Sequence, residues 1–212
     1  MKSQKTAWDR GYRRMGKMWR GAPEELPLLP KGSRVLELGC GNGKTLSAML
    51  QKPWEIHAVD FAPGAVLLGI QAAGKNGNVW FHIADAGYLP FRADTFDAVF
   101  AIHLIGHMTA DERVKVSSEI VQVLKPGGKL YLQVFSRDDM RYGNGVETED
   151  ATYRKGTGVI THYFTKTETE NLFSDLIPES VTLHSWKMRV MGKDHTRSVI
   201  NATFVKVSGT IS

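Results

Sequence analysis

Val35-Leu36-Glu37-Leu38-Gly39-Cys40-Gly41-Asn42-Gly43 decides how this chain reads. A short apolar strand, Arg34 to Leu38, runs into a glycine-rich turn, and Lys44 to Gln51 follows as a helix. Glycine reaches positive φ freely and lets a ligand approach the backbone. In an open α/β sheet, ligands sit where a strand's carboxyl end meets the next helix N-terminus.

Spacing narrows the ligand. A triphosphate loop needs Gly-x-x-x-x-Gly-Lys-Ser/Thr. Gly43-Lys44-Thr45 supplies its end, but Leu38 stands where the first glycine is required. A dinucleotide loop needs Gly-x-Gly-x-x-Gly. Counted from Gly39 the third glycine falls on Lys44, and counted from Gly41 it falls on Leu46. What is left is Gly-x-Gly-x-Gly, with Glu37 two residues before the first glycine.

Outward from the loop, strands and helices alternate. Strands are expected at Glu55–Asp60, Asn78–Ala84, Phe96–Ile102 and Lys129–Phe135. Helices are expected at Pro63–Ala73, with proline in its first turn, and at Ala110–Leu124, with Thr109 as N-cap. Lys125-Pro-Gly-Gly128 reads as a turn. This order implies a largely parallel, doubly wound sheet with helices on both faces. After Ser136 the pattern changes. Residues 137 to 158 are polar and glycine-rich with no clear period, and Thr161 to Phe164 is short and aromatic. Thr165 and Glu168 form a capping box opening a helix to Leu176. Ser180–Val190 and Arg197–Val207 close the chain as an antiparallel hairpin. The fold expected is α/β, a mostly parallel seven-stranded sheet ending in that hairpin.

Upstream, residues 5 to 20 read as a helix with Trp8, Tyr12, Met15 and Trp19 at helical spacing. Gly21, Pro23, Pro27 and Pro30 make a connector. Residues 1–30 are expected to act as a lid on a single domain spanning 1–212, and residues 137–164 as an insert on the acceptor side. The competing reading of the first helix is simple packing on the sheet. Its basic cluster, Arg10, Arg13, Arg14, Lys17 and Arg20, reads equally as a solvated helix face.

The loop and its flanking segments resemble the class I S-adenosylmethionine-dependent methyltransferases. Asp60 ends the second strand, where that family binds ribose hydroxyls. Ala84-Asp85-Ala86 follows the third strand, where it reads adenine. Leu89-Pro-Phe-Arg-Ala-Asp-Thr-Phe-Asp-Ala-Val-Phe100 and Leu124-Lys-Pro-Gly-Gly128 match two further family segments. The resemblance covers residues 34 to 135 and implies a Rossmann-like fold, S-adenosylmethionine as cofactor and methyl transfer as activity. It implies cofactor contacts from Tyr12, Glu37, Gly39, Cys40, Gly41, Asp60, Phe61, Asp85, Ala86 and Ala101. Phe61 would cover the adenine, Asp85 would accept from its amino group, and Tyr12 would reach the cofactor carboxylate.

His103 and His107 follow the fourth strand, where an acceptor should sit. Their spacing of four allows a metal pair, but no glutamate of the zinc-protease arrangement lies between them. No metal is expected. His103 is the candidate catalytic residue, and His107 reads as packing. Arg141, Tyr153 and His162 are the candidate acceptor contacts, a mixture suited to an anionic or aromatic molecule.

Composition sets the remaining bounds. The chain has 212 residues, 42% hydrophobic and 23% charged, as in an ordinary globular domain. No stretch approaches the roughly 18 to 20 apolar residues of a membrane span, so no membrane partner is expected. Cys40 is the one cysteine, so no intrachain disulfide can form. The basic N-terminus lacks the apolar core of a secretory signal, and the cytoplasm is the expected compartment. A net charge of +5 is low for phosphate-driven binding. A small-molecule acceptor is therefore the first reading, an RNA acceptor such as a modified tRNA uridine the second, and a non-catalytic binding protein the third. The expected state is a monomer or homodimer.

Overall fold

The structure, a computed structural model, describes residues 4–15, 25–75 and 77–207. Helix α1 (Gln4–Met15) precedes β1 (Arg34–Leu38), α2 (Lys44–Met49), β2 (Glu55–Asp60), α3 (Pro63–Ala73) and β3 (Val79–Ile83). Then come β4 (Phe96–Ile102), a 3-10 turn (Ile105–His107), α4 (Ala110–Val123) and β5 (Leu124–Phe135). The remainder is β6 (Val146–Glu149), β7 (Thr152–Arg154), β8 (Ile160–His162), α5 (Lys166–Leu172), β9 (Ile177–Val190) and β10 (Lys193–Val205). Trp19, Lys17, Arg20, Gly21 and Pro23, to which the sequence assigned helix and connector, lie outside the described residues.

The main sheet has seven strands in the order β3-β2-β1-β4-β5-β10-β9. The pairings among β1 to β5 are parallel, and β10 joins both β5 and β9 antiparallel. The order reverses between β1 and β4, which leaves a crevice at their carboxyl ends. The expected seven-stranded α/β sheet is therefore present.

Alternating apolar residues bury both faces of the sheet. Leu36, Leu38, Val99 and Leu130 pack with Val116, Ile120 and Val123 of α4, and with Phe173 and Phe204. On the other face Val35, Ala98 and Phe100 pack with Leu46, Met49 and Trp54. Local signals set the element ends. Pro63 opens α3, and Thr109–Glu112 and Thr165–Glu168 form complete capping boxes on α4 and α5. The β9–β10 hairpin turns on Met191 and Gly192, both at positive φ, the geometry of a two-residue type I′ turn.

Two segments differ from expectation. Leu124 pairs with Phe96 and pairing resumes at Lys129 opposite Ala98, so Lys125 to Gly128 form an irregularity inside β5 rather than a turn before it. The cause is the antiparallel neighbour, because Gly127 N–H donates to the Lys206 carbonyl at 2.6 Å. Residues 137–164 also hold more structure than their composition suggests. They carry a small antiparallel sheet in the order β6-β7-β8. Its strands are three or four residues long, too short for a period-2 pattern to show.

Candidate methyl-donor site and acceptor face

A cavity of about 440 Å³ opens at the β1/β4 crevice. Its floor is the glycine loop. Gly39 and Cys40 both donate from their backbone N–H to the Val59 carbonyl, at 2.7 and 3.0 Å. Gly39, Gly41 and Gly43 have φ of 71°, 53° and 77°, a region that side-chain-bearing residues seldom adopt. Space imposes a second constraint. A Cβ at Gly39 would stand 2.8 Å from Leu104 Cδ1, and one at Gly41 would stand 2.8 Å from Tyr12 Oη.

Two carboxylates line the cavity from adjacent strands. Asp60 Oδ2 accepts from Gly41 N–H at 3.0 Å, and Oδ1 accepts from Ala62 N–H at 2.9 Å. Burial raises its pKa, against the pull of those hydrogen bonds. Glu37 is 4% exposed and its Oε2 has no hydrogen-bond partner. Burial, followed by the Asp60 charge, lifts its pKa to about 8. Cys40 between them is buried, and desolvation with these two acids raises its thiol pKa. It is therefore a packing residue rather than a nucleophile.

Phe61, Asp85 and Ala86 form another wall. Asp85 Oδ1 accepts from Gly87 N–H at 3.0 Å, and the Asp85 carbonyl accepts from Tyr88 N–H at 2.9 Å. Asp85 thus shapes its turn and borders the cavity at once. Trp8 and Tyr12 of α1 close the cavity from above. Ala101 is placed elsewhere. It is fully buried in the core of β4, and the neighbouring Ile102, His103 and Leu104 line the cavity instead. Strand alternation explains this, since Ala101 points into the core shared with α4.

His103 lies where β4 ends, with φ of 55°. Its N–H donates to the Gln133 carbonyl at 2.8 Å. Backbone strain in a residue with a side chain concentrates at functional sites. The ring borders the cavity and stacks on Phe135 with centroids 4.3 Å apart and an interplanar angle of 18°. Its Nδ1 is buried without a partner. Burial, then the charges of His107, Lys44, Arg141 and Arg197, push its pKa down to about 3. It is a neutral imidazole at physiological pH. His107 packs its ring edge against Trp8 and hydrogen-bonds the Ile160 carbonyl through Nδ1 at 2.8 Å. No cluster of metal-binding side chains occurs among the described residues.

The three expected acceptor contacts separate. Arg141 lies over the Phe135 ring at 4.1 Å, so Phe135 connects it to His103. Tyr153 sits in an aromatic group with Tyr142 and Tyr163. His162 is not placed at the cavity. It is 1% exposed, with Nδ1 at 2.8 Å from the Thr152 hydroxyl and Nε2 at 2.6 Å from Glu168 Oε1. Both ring nitrogens are engaged, so it holds β8 to β7 and α5. The sequence shows histidine chemistry at that position but gives no burial.

Several cavity residues carry no motif signal. Lys44 and Thr45 line it despite failing the triphosphate pattern, and Met108, Glu112 and Lys115 reach it from the start of α4. Lys115 Nζ sits 3.2 Å over the Tyr88 ring. The Thr109 cap marked where α4 begins, but only the packing shows that its first turns face the cavity.

A crevice of this kind is where an open α/β sheet binds its ligand. Residues 35–128 match the model of the Methyltransferase domain family. A demethylmenaquinone methyltransferase of Clavibacter sepedonicus is 34% identical over 119 residues, covering 56% of this chain and 48% of that protein. A tRNA N(3)-cytidine methyltransferase of Mus musculus is 28% identical over 164 residues, covering 71% of this chain and 42% of that protein. The chain thus spans less than half the length of these two relatives. A crystal structure of a SAM-dependent methyltransferase from Methanosarcina mazei superposes with a TM-score of 0.72 at 22% identity, covering 85% of this chain and 95% of that one. Residues 35–128 are thus similar to a methyltransferase domain, and S-adenosylmethionine is the cofactor that this similarity implies. The cavity suits that ligand: its Glu37 and Asp60 carboxylates match a molecule bearing a sulfonium and an ammonium, and the left-handed glycines leave room against the backbone.

Proposed function

We propose that this chain transfers the methyl group of S-adenosylmethionine to a small-molecule acceptor held between His103 and the 137–164 segment. The observation carrying this reading is that one cavity joins the glycine loop, Asp60 and Asp85 on one side to the strained His103 on the other. The bound cofactor supplies a sulfonium methyl already activated for in-line displacement. The chain's own residues therefore bind and orient, and such placement is worth roughly 7 to 11 kcal/mol in favourable cases.

In this reading Asp60 accepts the ribose hydroxyls while fixed by Gly41 and Ala62. Phe61 covers the adenine, and Asp85 and Ala86 hydrogen-bond its edge. Glu37 supplies negative charge toward the cationic end, beside the backbone of Gly39 and Gly41. Tyr12 and Trp8 make α1 a lid that excludes water. His103, neutral and with Nδ1 unpartnered, orients the acceptor and is positioned to take a proton where the acceptor atom carries one.

The test is incubation with methyl-labelled S-adenosylmethionine and separate pools of small metabolites and RNA. Label in the small-molecule pool, abolished by Asp60→Ala, supports the proposal. Label confined to RNA supports the second reading, favoured by the tRNA methyltransferase among the relatives. Cofactor binding without transfer to either pool would leave a non-catalytic binding protein.

A further inference from the structure

Asp139 follows β5 with its side chain fully buried. Its Oδ1 accepts from Arg141 Nε at 2.9 Å and from Arg141 N–H at 3.1 Å. Its Oδ2 accepts from Arg197 Nε at 2.7 Å and from Ser198 N–H at 3.1 Å. One carboxylate thus grips two guanidinium groups, each by its Nε. Arg141 Nη2 is buried with no hydrogen-bond partner. Tyr163, wholly buried, likewise has an unpartnered hydroxyl. Lys155 stands within electrostatic reach of both arginines and of Asp139, and makes no ion pair among the described residues. Three cations therefore share one carboxylate. A buried guanidinium or phenol donor left unsatisfied is destabilising, and a ligand that accepts from it removes that cost.

This cluster adjoins the donor cavity. The Arg141 guanidinium lies 4.1 Å from the centre of the Phe135 ring and that of Arg197 lies 5.5 Å from it. Phe135 in turn stacks on His103 at the cavity rim. Tyr142 and Tyr163 pack edge-to-face nearby, with centroids 5.6 Å apart.

We infer that Arg141 and Arg197, aligned by Asp139 and supported by Lys155 and Tyr163, form a clamp for a carboxylate or similar oxyanion on the methyl acceptor. Planar guanidinium ends suit such a group, because two parallel N–H donors match its two oxygens. The clamp is built into the body of the domain: the Arg141 and Arg197 side chains are 25% and 15% exposed. That favours an anion on the acceptor itself over the exposed phosphates of a nucleic-acid backbone. The inference rests on the acceptor reading above, since the anion is placed on the molecule that receives the methyl.

The test is titration of the S-adenosylhomocysteine-loaded protein with benzoate, benzamide and inorganic phosphate. Binding is followed by calorimetry and by NMR shifts of the His103 ring. Benzoate or phosphate should bind and move the His103 signal, with benzamide weaker by about tenfold or more. Arg141→Gln and Arg197→Gln should each weaken anion binding by about tenfold and leave S-adenosylhomocysteine affinity unchanged. Because Arg197→Gln strips a partner from buried Asp139, Lys155→Gln is the control that breaks no ion pair, and it too should weaken the anion. Equal binding of benzoate and benzamide, no binding of either anion, or anion affinity indifferent to all three substitutions would overturn the clamp. Failure of the wild-type protein to bind S-adenosylhomocysteine would count against the methyltransferase reading instead, and the same titrations on the unloaded protein would still decide the clamp. Anion-dependent labelling of a free carboxylate rather than an RNA-borne one, in the pools described above, identifies the source.

Discussion

Glu37 and Asp60 occupy neighbouring parallel strands at the floor of one cavity, and the charge of Asp60 helps hold the Glu37 carboxyl at a pKa of about 8. Without ligand, Glu37 is mostly protonated at pH 7. A cation bound beside it favours the carboxylate, so binding should release a proton. Calorimetry of S-adenosylmethionine binding in buffers of different ionisation enthalpy is expected to show release at pH 7 and none for Glu37→Gln. The stability sign follows from the same shift. The native state binds this proton more tightly than the unfolded chain, with its ordinary value of 4.5. The unloaded protein therefore loses stability as pH rises from about 4.5 to about 8. Glu37→Gln should be more stable than wild type at pH 8 by on the order of 4 kcal/mol, measured by denaturant unfolding.

Asp60 holds the glycine loop through Gly41 N–H and the start of α3 through Ala62 N–H. Asp60→Asn keeps one acceptor oxygen and forces an amide against the other donor. Cofactor affinity should fall by about tenfold to a hundredfold, with a smaller loss of stability. Unchanged affinity by calorimetry would remove Asp60 from the cofactor site.

Gly41→Ala meets two obstacles, a φ of 53° and the Tyr12 hydroxyl 2.8 Å from the new Cβ. It should destabilise by about 1 to 3 kcal/mol and weaken cofactor binding. Adding Tyr12→Phe removes the oxygen that clashes but not the backbone strain. The double variant should therefore recover only part of the loss, a partition that a double-mutant cycle measures.

His103 should show no titration between pH 5 and 8 when its ring protons are followed by NMR, because burial and surrounding cations hold its pKa to about 3. A pH–rate profile should accordingly lack an acid limb near the usual imidazole value. A limb there, abolished by His103→Gln, would mean the ring gains a proton when the acceptor binds.

His162→Ala should act on stability alone. It breaks the contacts to Thr152 and Glu168 and opens space against Phe164. A loss of about 2 to 4 kcal/mol is expected, read from thermal unfolding, with acceptor KM unaffected in the folded fraction. A selective rise in KM would return His162 to the acceptor site.

The sequence by itself determined the frame. Gly39, Gly41 and Gly43 need left-handed backbone, Asp60 ends a strand, and Thr109 and Thr165 cap helices. Each of these is a local requirement, carried by one residue and its near neighbours, and each is legible without coordinates. The donor side of the cavity was legible for the same reason, because the loop and the strand ends belong to one repeating βα plan. Tertiary structure alone decided the proposed acceptor side. It turned His162 into a buried strut, put Ala101 in the core, and assembled Arg141, Asp139 and Arg197 across 58 residues of chain. Those outcomes depend on how the short β6–β8 sheet and the β9–β10 hairpin pack against β5. Burial and pairing between distant segments leave no periodic trace in the residues that take part. The glycine loop was fixed by its own backbone, while the face formed by Arg141, Asp139 and Arg197 was fixed by what folded over it.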